Sequence, residues 1–319
     1  MISDFPTKED FFNSAEDYLN SSWGEVIELL AEFEEIQDII DNSPHANEAQ
    51  HYWKSAKQTL VNATALVQQA IEFYIKGRIV SVSPYLLITG SPTSWPKGCN
   101  RNDTPFSSFR TIDAQDLIKV HDTVYKEKFT DRFIQWNDAL RVTRNKVIHT
   151  VDRNLEVKPE DLLDYILFSH SYFANNGNWF KSRKRYLNNT PANSIRYFRE
   201  QGDHEAHITS DILREFKVSV DCLPPAKVLE YFAFKKKKRS HHCPSCYKTV
   251  SEIEGFYHEF IEDCGKSYQA NESNELFQCC ICNYSGTFST NHCTEDNCEG
   301  LYVDKHTGQC ISCGAKNSL

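Results

Sequence analysis

Residues 47–80 read NEAQHYWKSAKQTLVNATALVQQAIEFYIKGRIV, and this stretch decides the fold class. Its apolar positions Tyr52, Trp53, Ala56, Leu60, Ala63, Val67, Ala70, Ile71 and Tyr74 return at three- and four-residue steps. That period predicts a helix from about Asn47 to Val80, with one stripe that must be buried against neighbours. The flanking residues offer such neighbours. Helices are predicted over 7–20 and 23–41, the second with Trp23, Val26, Ile27, Leu30, Phe33, Ile36, Ile39 and Ile40 on one side and glutamates on the other. Pro44 disfavours helical geometry at Ser43 and sets the break. Residues 83–110, rich in Ser, Pro, Gly and Asn, read as an extended loop. Further helices are predicted over 112–129, 131–149 and 159–173, the last with Pro159 at its first position. No segment before residue 175 alternates as a strand does. The expected fold is mainly α, an antiparallel helix bundle over residues 1–175.

The rest of the chain is of another kind. Residues 176–240 read as a basic, partly helical connector, with one or two short helices within 191–218. Residues 1–50 hold one lysine against thirteen acids, whereas 180–240 hold fourteen Lys or Arg against seven acids. The net charge of −9 therefore hides a basic stretch, and this local distribution does not argue against nucleic acid as the whole-chain charge would. The acidic face of the first helices reads as a solvated surface. The run Lys235, Lys236, Lys237, Lys238 and Arg239, preceded by Tyr231, Phe232 and Phe234, offers charge with stacking surfaces. A solvated linker is its plainer explanation.

Hydrophobic residues at 40% and aromatics at 13% exclude wholesale disorder. No apolar run nears the ~20 residues a membrane helix needs. The first residues lack a signal peptide's basic and apolar regions, so a cytoplasmic protein without membrane contact is expected.

Ten of the twelve cysteines fall between Cys243 and Cys313, which favours metal over disulfides. Cys243, Cys246, Cys279 and Cys282 make one expected four-thiolate set. Cys293, Cys298, Cys310 and Cys313 make the second. Two closed sets suit two structural zinc ions in a small β region over 241–319, with Gly286 and Gly314 in turns. This region resembles zinc-ribbon domains. Cys280 is a spare that would replace Cys279 if the knuckle shifted register, and Cys264 and His292 are other spares. His241 and His242 read as neighbours of the site, or as phosphate-facing groups, and not as ligands.

Arg144-Asn145-Lys146-Val147-Ile148-His149 closes the fifth predicted helix. RNA carries its own nucleophile, the 2′-hydroxyl, so cutting it without a metal asks for a proton carrier and a fixed cation. His149 titrates near neutrality, and Arg144 presents a planar fork to phosphate oxygens. On an ideal helix Arg144 and His149 lie roughly 140° apart, while Asn145 and His149 share a face. Arg144 reaches the same phosphate if its side chain bends round or if the helix ends here. A helix C-terminus favours protonated imidazole, which assigns His149 as proton donor to the 5′-oxygen leaving group. Basic residues at a helix end also serve simply as caps. Glu72 and Lys76, four residues apart in the long helix, read as an ion pair on one face.

With Glu72-x3-Lys76 in the long helix and four predicted helices before it, the Arg144–His149 motif resembles that of the HEPN superfamily, over roughly residues 10–175. The resemblance implies a homodimer through the bundle and metal-independent endoribonuclease activity leaving a 2′,3′-cyclic phosphate. It also implies a toxin or anti-phage abortive-infection role, with a protein trigger or antitoxin as a further partner. Arg144 and His149 would be the catalytic pair and Asn145 the orienting residue, with the ribbons and basic run choosing the RNA. The alternative is a non-catalytic adaptor that binds nucleic acid or protein on the same bundle.

Overall fold

The computed structural model describes residues 1–41, 48–149, 157–174, 177–199, 204–251, 266–270, 276–289, 293–296, 298, 300 and 302–317, with backbone alone at 38–41, 147–149, 196–199, 270 and 289. It is mainly helical, with a few small strands near the C-terminus. Among the described residues no helix is long and apolar enough to cross a membrane. The chain forms two compact units, residues 1–29 with 36–169 and residues 30–35 with 170–319.

The first unit is built on two long helices, α1 (Lys8–Asp41) and α2 (Glu48–Val82). Thr7 and Asp10 start α1 as a reciprocal cap. Asp10 N–H donates to Thr7 Oγ1 at 3.1 Å, and Thr7 N–H donates to Asp10 Oδ2 at 2.8 Å. The two expected helices 7–20 and 23–41 are one. The polar Asn20-Ser21-Ser22 does not interrupt it, because Asn20 Nδ2 bonds the Glu16 carbonyl at 2.9 Å and Ser22 Oγ bonds the Ala63 carbonyl at 3.1 Å. With those two donors bonded to carbonyls, Asn20 and Ser22 continue the helix.

Contacts between the two helices run in opposite sequence order. The Phe12 ring meets Tyr74 with centroids 5.0 Å apart, Ser22 bonds Ala63, and Tyr52 Oη bonds the Leu29 carbonyl at 2.7 Å. The pair is antiparallel. Its seam buries Ala15, Leu19, Trp23 and Val26 against the α2 stripe of Ala56, Leu60, Ala63, Val67, Ala70, Ile71 and Tyr74. Burying such side chains contributes about 1.5–3 kcal/mol each for the larger ones.

Helices α3 (Ala114–Val124), α4 (Asp131–His149) and α5 (Pro159–Phe173) follow, and α3 and α4 pack on α2. Leu117, Phe133, Leu140, Leu162, Leu163 and Ile166 complete the core. Residues 83–110, expected as loop, contain three short 3-10 turns and the strand β2 (Thr104–Pro105), which pairs in parallel with β1 (Ile2–Ser3).

The second unit is more ordered than its sequence suggests. It contains α6 (Trp179–Asn188), α7 (Pro191–Arg199), α8 (His204–Cys222), α9 (Pro225–Phe232) and α10 (Pro244–Val250). Of these, only α7 and α8 match the expected helical stretch at 191–218. The Lys181–Tyr186 stretch is helical and partly internal: Arg183, 5% exposed, makes a two-pronged ion pair with Glu215, with Nη2 to Oε1 at 2.8 Å and Nε to Oε2 at 2.8 Å. The acidic face of α1 is put to use here. Glu35 pairs with Arg214 at 2.6 Å and Glu34 with Lys217, and both acids stay exposed, as a solvated face would have them. Strands β3 (Tyr268–Ala270), β4 (Phe277–Cys279) and β5 (Ser285–Gly286) form an antiparallel sheet, and β6 (Phe288–Ser289) pairs antiparallel with β7 (Val303–Asp304).

Candidate functional site

Two separate sets of groups deserve the name of site, one in each unit. In the first unit α2 and α4 pack together and bring two sequence motifs side by side. Arg144 is half-buried on α4, and its Nη1 donates to the Oδ1 of exposed Asn145 at 3.0 Å. Glu72 faces them from α2. Burial raises its carboxyl pKa above the usual range, while the charges of Lys76 and Arg144 and a 3.4 Å bond from Gln68 Nε2 pull it back down. The Lys76 ammonium lies over the Phe73 ring, 5.8 Å from its centroid. Glu72 therefore acts on a cation from each of two helices and is more than half of a surface pair. α4 is helical through His149, whose side chain lies outside the described residues, as do those of Val147 and Ile148.

In the second unit the cysteines gather as two sets. The sulfurs of Cys243, Cys246, Cys279 and Cys282 lie within 4.8 Å of one another, and so do those of Cys293, Cys298, Cys310 and Cys313. The local fold explains how. Cys243 caps α10, Pro244 opens that helix, and Cys246 lies in its first turn. Cys279 ends β4, and the tight turn after it returns Cys282. In that turn the N–H groups of Ile281 and Cys282 point at the Cys279 sulfur, each at 3.4 Å. Amides also reach the sulfurs of Cys282, Cys293, Cys298 and Cys310 at 3.3–3.5 Å. Such donors favour thiolates and orient them.

Sulfur separations are 3.6 Å (Cys243–Cys282) and 4.0 Å (Cys246–Cys279) in the first set, and 3.6 Å (Cys293–Cys313) and 3.8 Å (Cys298–Cys310) in the second. A tetrahedral ion with bonds of about 2.3 Å needs sulfurs roughly 3.8 Å apart, so each set could hold one metal ion. Four thiolates this close cannot all ionise without a cation among them. Two glycines serve the second set. A Cβ on Gly300 would sit 2.5 Å from the Cys310 sulfur, and Gly314, after the last knuckle, has φ +77°.

Cys280 is not a ligand in this register. Its thiol donates to the Ser267 carbonyl at 3.3 Å, and burial pushes its pKa well up. Cys264 and His292 lie outside the described residues. His241 and His242 are each 5% exposed, so neither faces a phosphate in solution. The His241 ring instead stands edge-on to Phe277 at 5.6 Å.

The basic run divides by role. Lys236 Nζ bonds the carbonyls of Leu223 at 2.9 Å and Asp221 at 3.3 Å, so this member of the expected nucleic-acid set also caps the end of α8. Lys237 and Arg239 are exposed, while Lys235 and Lys238 are half-buried. The turn they form is held by Gln269 of β3. Its Oε1 accepts from Lys235 N at 2.9 Å, and its Nε2 donates to the carbonyls of Lys235 at 2.9 Å and Lys238 at 3.0 Å. Nothing in the sequence announces Gln269, since its partners stand more than thirty residues away. Comparison of the chain with family models, curated proteins and solved structures returned no match.

Proposed function

We propose that the chain is an endoribonuclease of the HEPN type, with zinc in both cysteine sets. The observation that carries the reading is the packing of α2 and α4, which brings the charge of Arg144, bonded to Asn145 Oδ1, to bear on the half-buried carboxylate of Glu72. An arginine for a transition state must be held before the substrate arrives, and a partly buried carboxylate with an amide neighbour holds it. The 2′-oxygen attacks phosphorus and its proton goes to water. The bond from phosphorus to the 5′-oxygen breaks as the His149 imidazolium gives that oxygen a proton, leaving a 2′,3′-cyclic phosphate. Arg144 stabilises the charge on the non-bridging oxygens, and Asn145 orients the guanidinium. A homodimer that joins two such motifs, cytoplasmic action as a toxin or phage-defence effector, and control by a protein partner belong to the same reading.

All-sulfur ligation and near-tetrahedral spacing favour zinc, here in closed sets that supply folding energy and no open coordination position. In the chain's own residues, the metal's neighbours present Lys235, Lys237, Lys238 and Arg239 for RNA.

Expression of the chain and of Arg144→Ala and His149→Ala in a bacterial host, with mapping of RNA ends, tests this. Cleavage leaving cyclic-phosphate ends is expected in the unsubstituted chain alone, with His149→Ala slower by about 10²–10⁴-fold. The rate should fall as pH rises above neutrality and the imidazolium is lost; a rate still climbing there removes His149 as the acid. Equal behaviour of all three proteins would establish the second reading, a binding adaptor, which the cysteine sets by themselves favour.

A further inference from the structure

A cavity of about 620 Å³ opens in the second unit, outside both cysteine sets. Its walls come from the start of α6, the end of α9, the Lys235–Lys238 turn and the β3–β4 sheet. Small-molecule sites typically span roughly 300–1,000 Å³. The lining has a definite chemistry. Tyr231, half-buried, offers an aromatic face, and the Lys227 ammonium stands 5.4 Å from its ring centroid. Lys235 and Lys238 supply positive charge at the wall. The lining acid, Glu230, is paired with Lys227 at 3.4 Å, which offsets its repulsion of an anion.

The sheet contributes by strand alternation. Phe277 and Cys279 of β4 are buried on one face, and Gln278 between them is exposed on the other, directly opposite Gln269 of β3. Gln269 is fully engaged in holding the lysine turn. Asn178 is likewise engaged, with Nδ2 bonded to the Cys280 carbonyl at 2.9 Å and Oδ1 accepting from Lys181 N at 3.2 Å. These two amides build the cavity. Gln278, exposed at its edge, is placed to read a ligand, as is the amide nitrogen of exposed Asn283, whose Oδ1 accepts from Asn178 Nδ2 at 3.3 Å.

We propose that this cavity binds one nucleoside phosphate: phosphate at Lys235 and Lys238, base against Tyr231, base edge toward Gln278 and Asn283. It rests on the ribonuclease reading only in taking RNA as the ligand class. The same unit could arrive as a free nucleotide or within a single strand. A fixed aromatic with paired cations is the arrangement that single-strand binders use, because every base has a π-face and every link a charge.

The test is binding by the full chain to a 2′-O-methyl RNA of about ten nucleotides, which lacks the cleaving hydroxyl and fits the usual single-strand site sizes. Fluorescence anisotropy reads affinity, and AMP is added as competitor. Tyr231→Ala and Lys238→Glu should each weaken binding by about tenfold or more, given the usual worth of a stacked base. Tyr231→Phe, which keeps the ring, should hold affinity and metal content, separating loss of contact from loss of fold. Lys237→Glu, exposed and outside the cavity, should cost less than Lys238→Glu. Displacement of the RNA by AMP would assign the site to a free nucleotide, and absence of displacement would assign it to a strand. Full affinity in Tyr231→Ala and Lys238→Glu, equal losses at Lys237 and Lys238, or no RNA binding at all overturns the proposal. A chain that binds through the cavity but cuts no RNA defeats the ribonuclease reading alone; one that cuts RNA with unchanged affinity in the variants defeats the cavity alone.

Discussion

The α1–α2 pair and the cysteine region solve the problem of staying folded in opposite ways. In the helical pair a continuous apolar seam from Ala15 to Tyr74 is shut away from water. The cysteine region has, among its described residues, short strands of two or three residues and a small ring cluster in which Phe277 meets Phe288 at 4.3 Å, Tyr302 at 5.4 Å and Tyr268 at 5.5 Å. Two- and three-residue strands do not hold themselves together. Beside that cluster the sulfurs gather in two sets of four. One region is closed by its own side chains, and the other, on the reading proposed above, is completed by an ion.

The strongest way to break that contrast is to take the metal away. Structural zinc contributes on the order of 10–16 kcal/mol of apparent folding energy per site, so chelation should unfold residues 241–319 outright. Limited proteolysis should then cut there, while far-UV circular dichroism keeps most of its helical signal. Parallel loss of the helix signal would mean that both regions lean on the ion. Cys246→Ser should reproduce the effect for the first set with about half the metal content.

A smaller effect lies within the second unit's helices. Arg183→Met leaves Glu215 buried without its partner and should cost about 3–5 kcal/mol in urea denaturation. Arg183→Met with Glu215→Leu should recover most of that, since a buried pair replaced by apolar groups is often neutral or better. If the double variant stays as unstable as the single one, the pair does more than cancel its own burial.

The smallest effect sharpens the reading of the first unit. Glu72 has its pKa raised in the fold, mainly by burial. A raised carboxyl favours the fold below its unfolded value and loses that contribution as pH rises through the folded value. Glu72→Gln should therefore match or exceed the parent at pH near 7, by less than about 1 kcal/mol after solvent screening, and the gap should close below pH ~4. RNA cleavage should fall in the same variant, because Arg144 loses its anchor. A variant more stable and equally active would leave Glu72 a structural group only.

Much of this was legible in residue order where geometry is local. The bounds 131–149 and 159–173 coincide with α4 and α5, because a proline opens α5, and because Thr130 Oγ1 caps α4 by accepting from Phe133 N at 3.2 Å. The cysteine sets follow from spacing, since a knuckle is a local turn. The failures are of two kinds. Asn20-Ser21-Ser22 reads as a break only while the Ala63 carbonyl that satisfies Ser22 is out of sight. The helices α6 and α9 were missed because their apolar faces, Trp179 with Phe180 and Val228 with Phe232, are short and set among lysines and prolines. Phe180 and Phe232 meet each other at 5.1 Å across 52 positions, a distance no window of sequence spans. The cavity and Lys236's capping of α8 were hidden for the same reason.

Gln269 sits one residue from Tyr268, which lies opposite the metal-set residue Cys279 across the β3–β4 ladder. With an ion in that set, as proposed above, anything that displaced it, whether an oxidant tying two thiols together or a competing chelator, would loosen β3 and release the backbone of Lys235 and Lys238. On the proposed readings the grip on an anionic ligand would then follow the supply of metal, with Arg144 and His149 untouched.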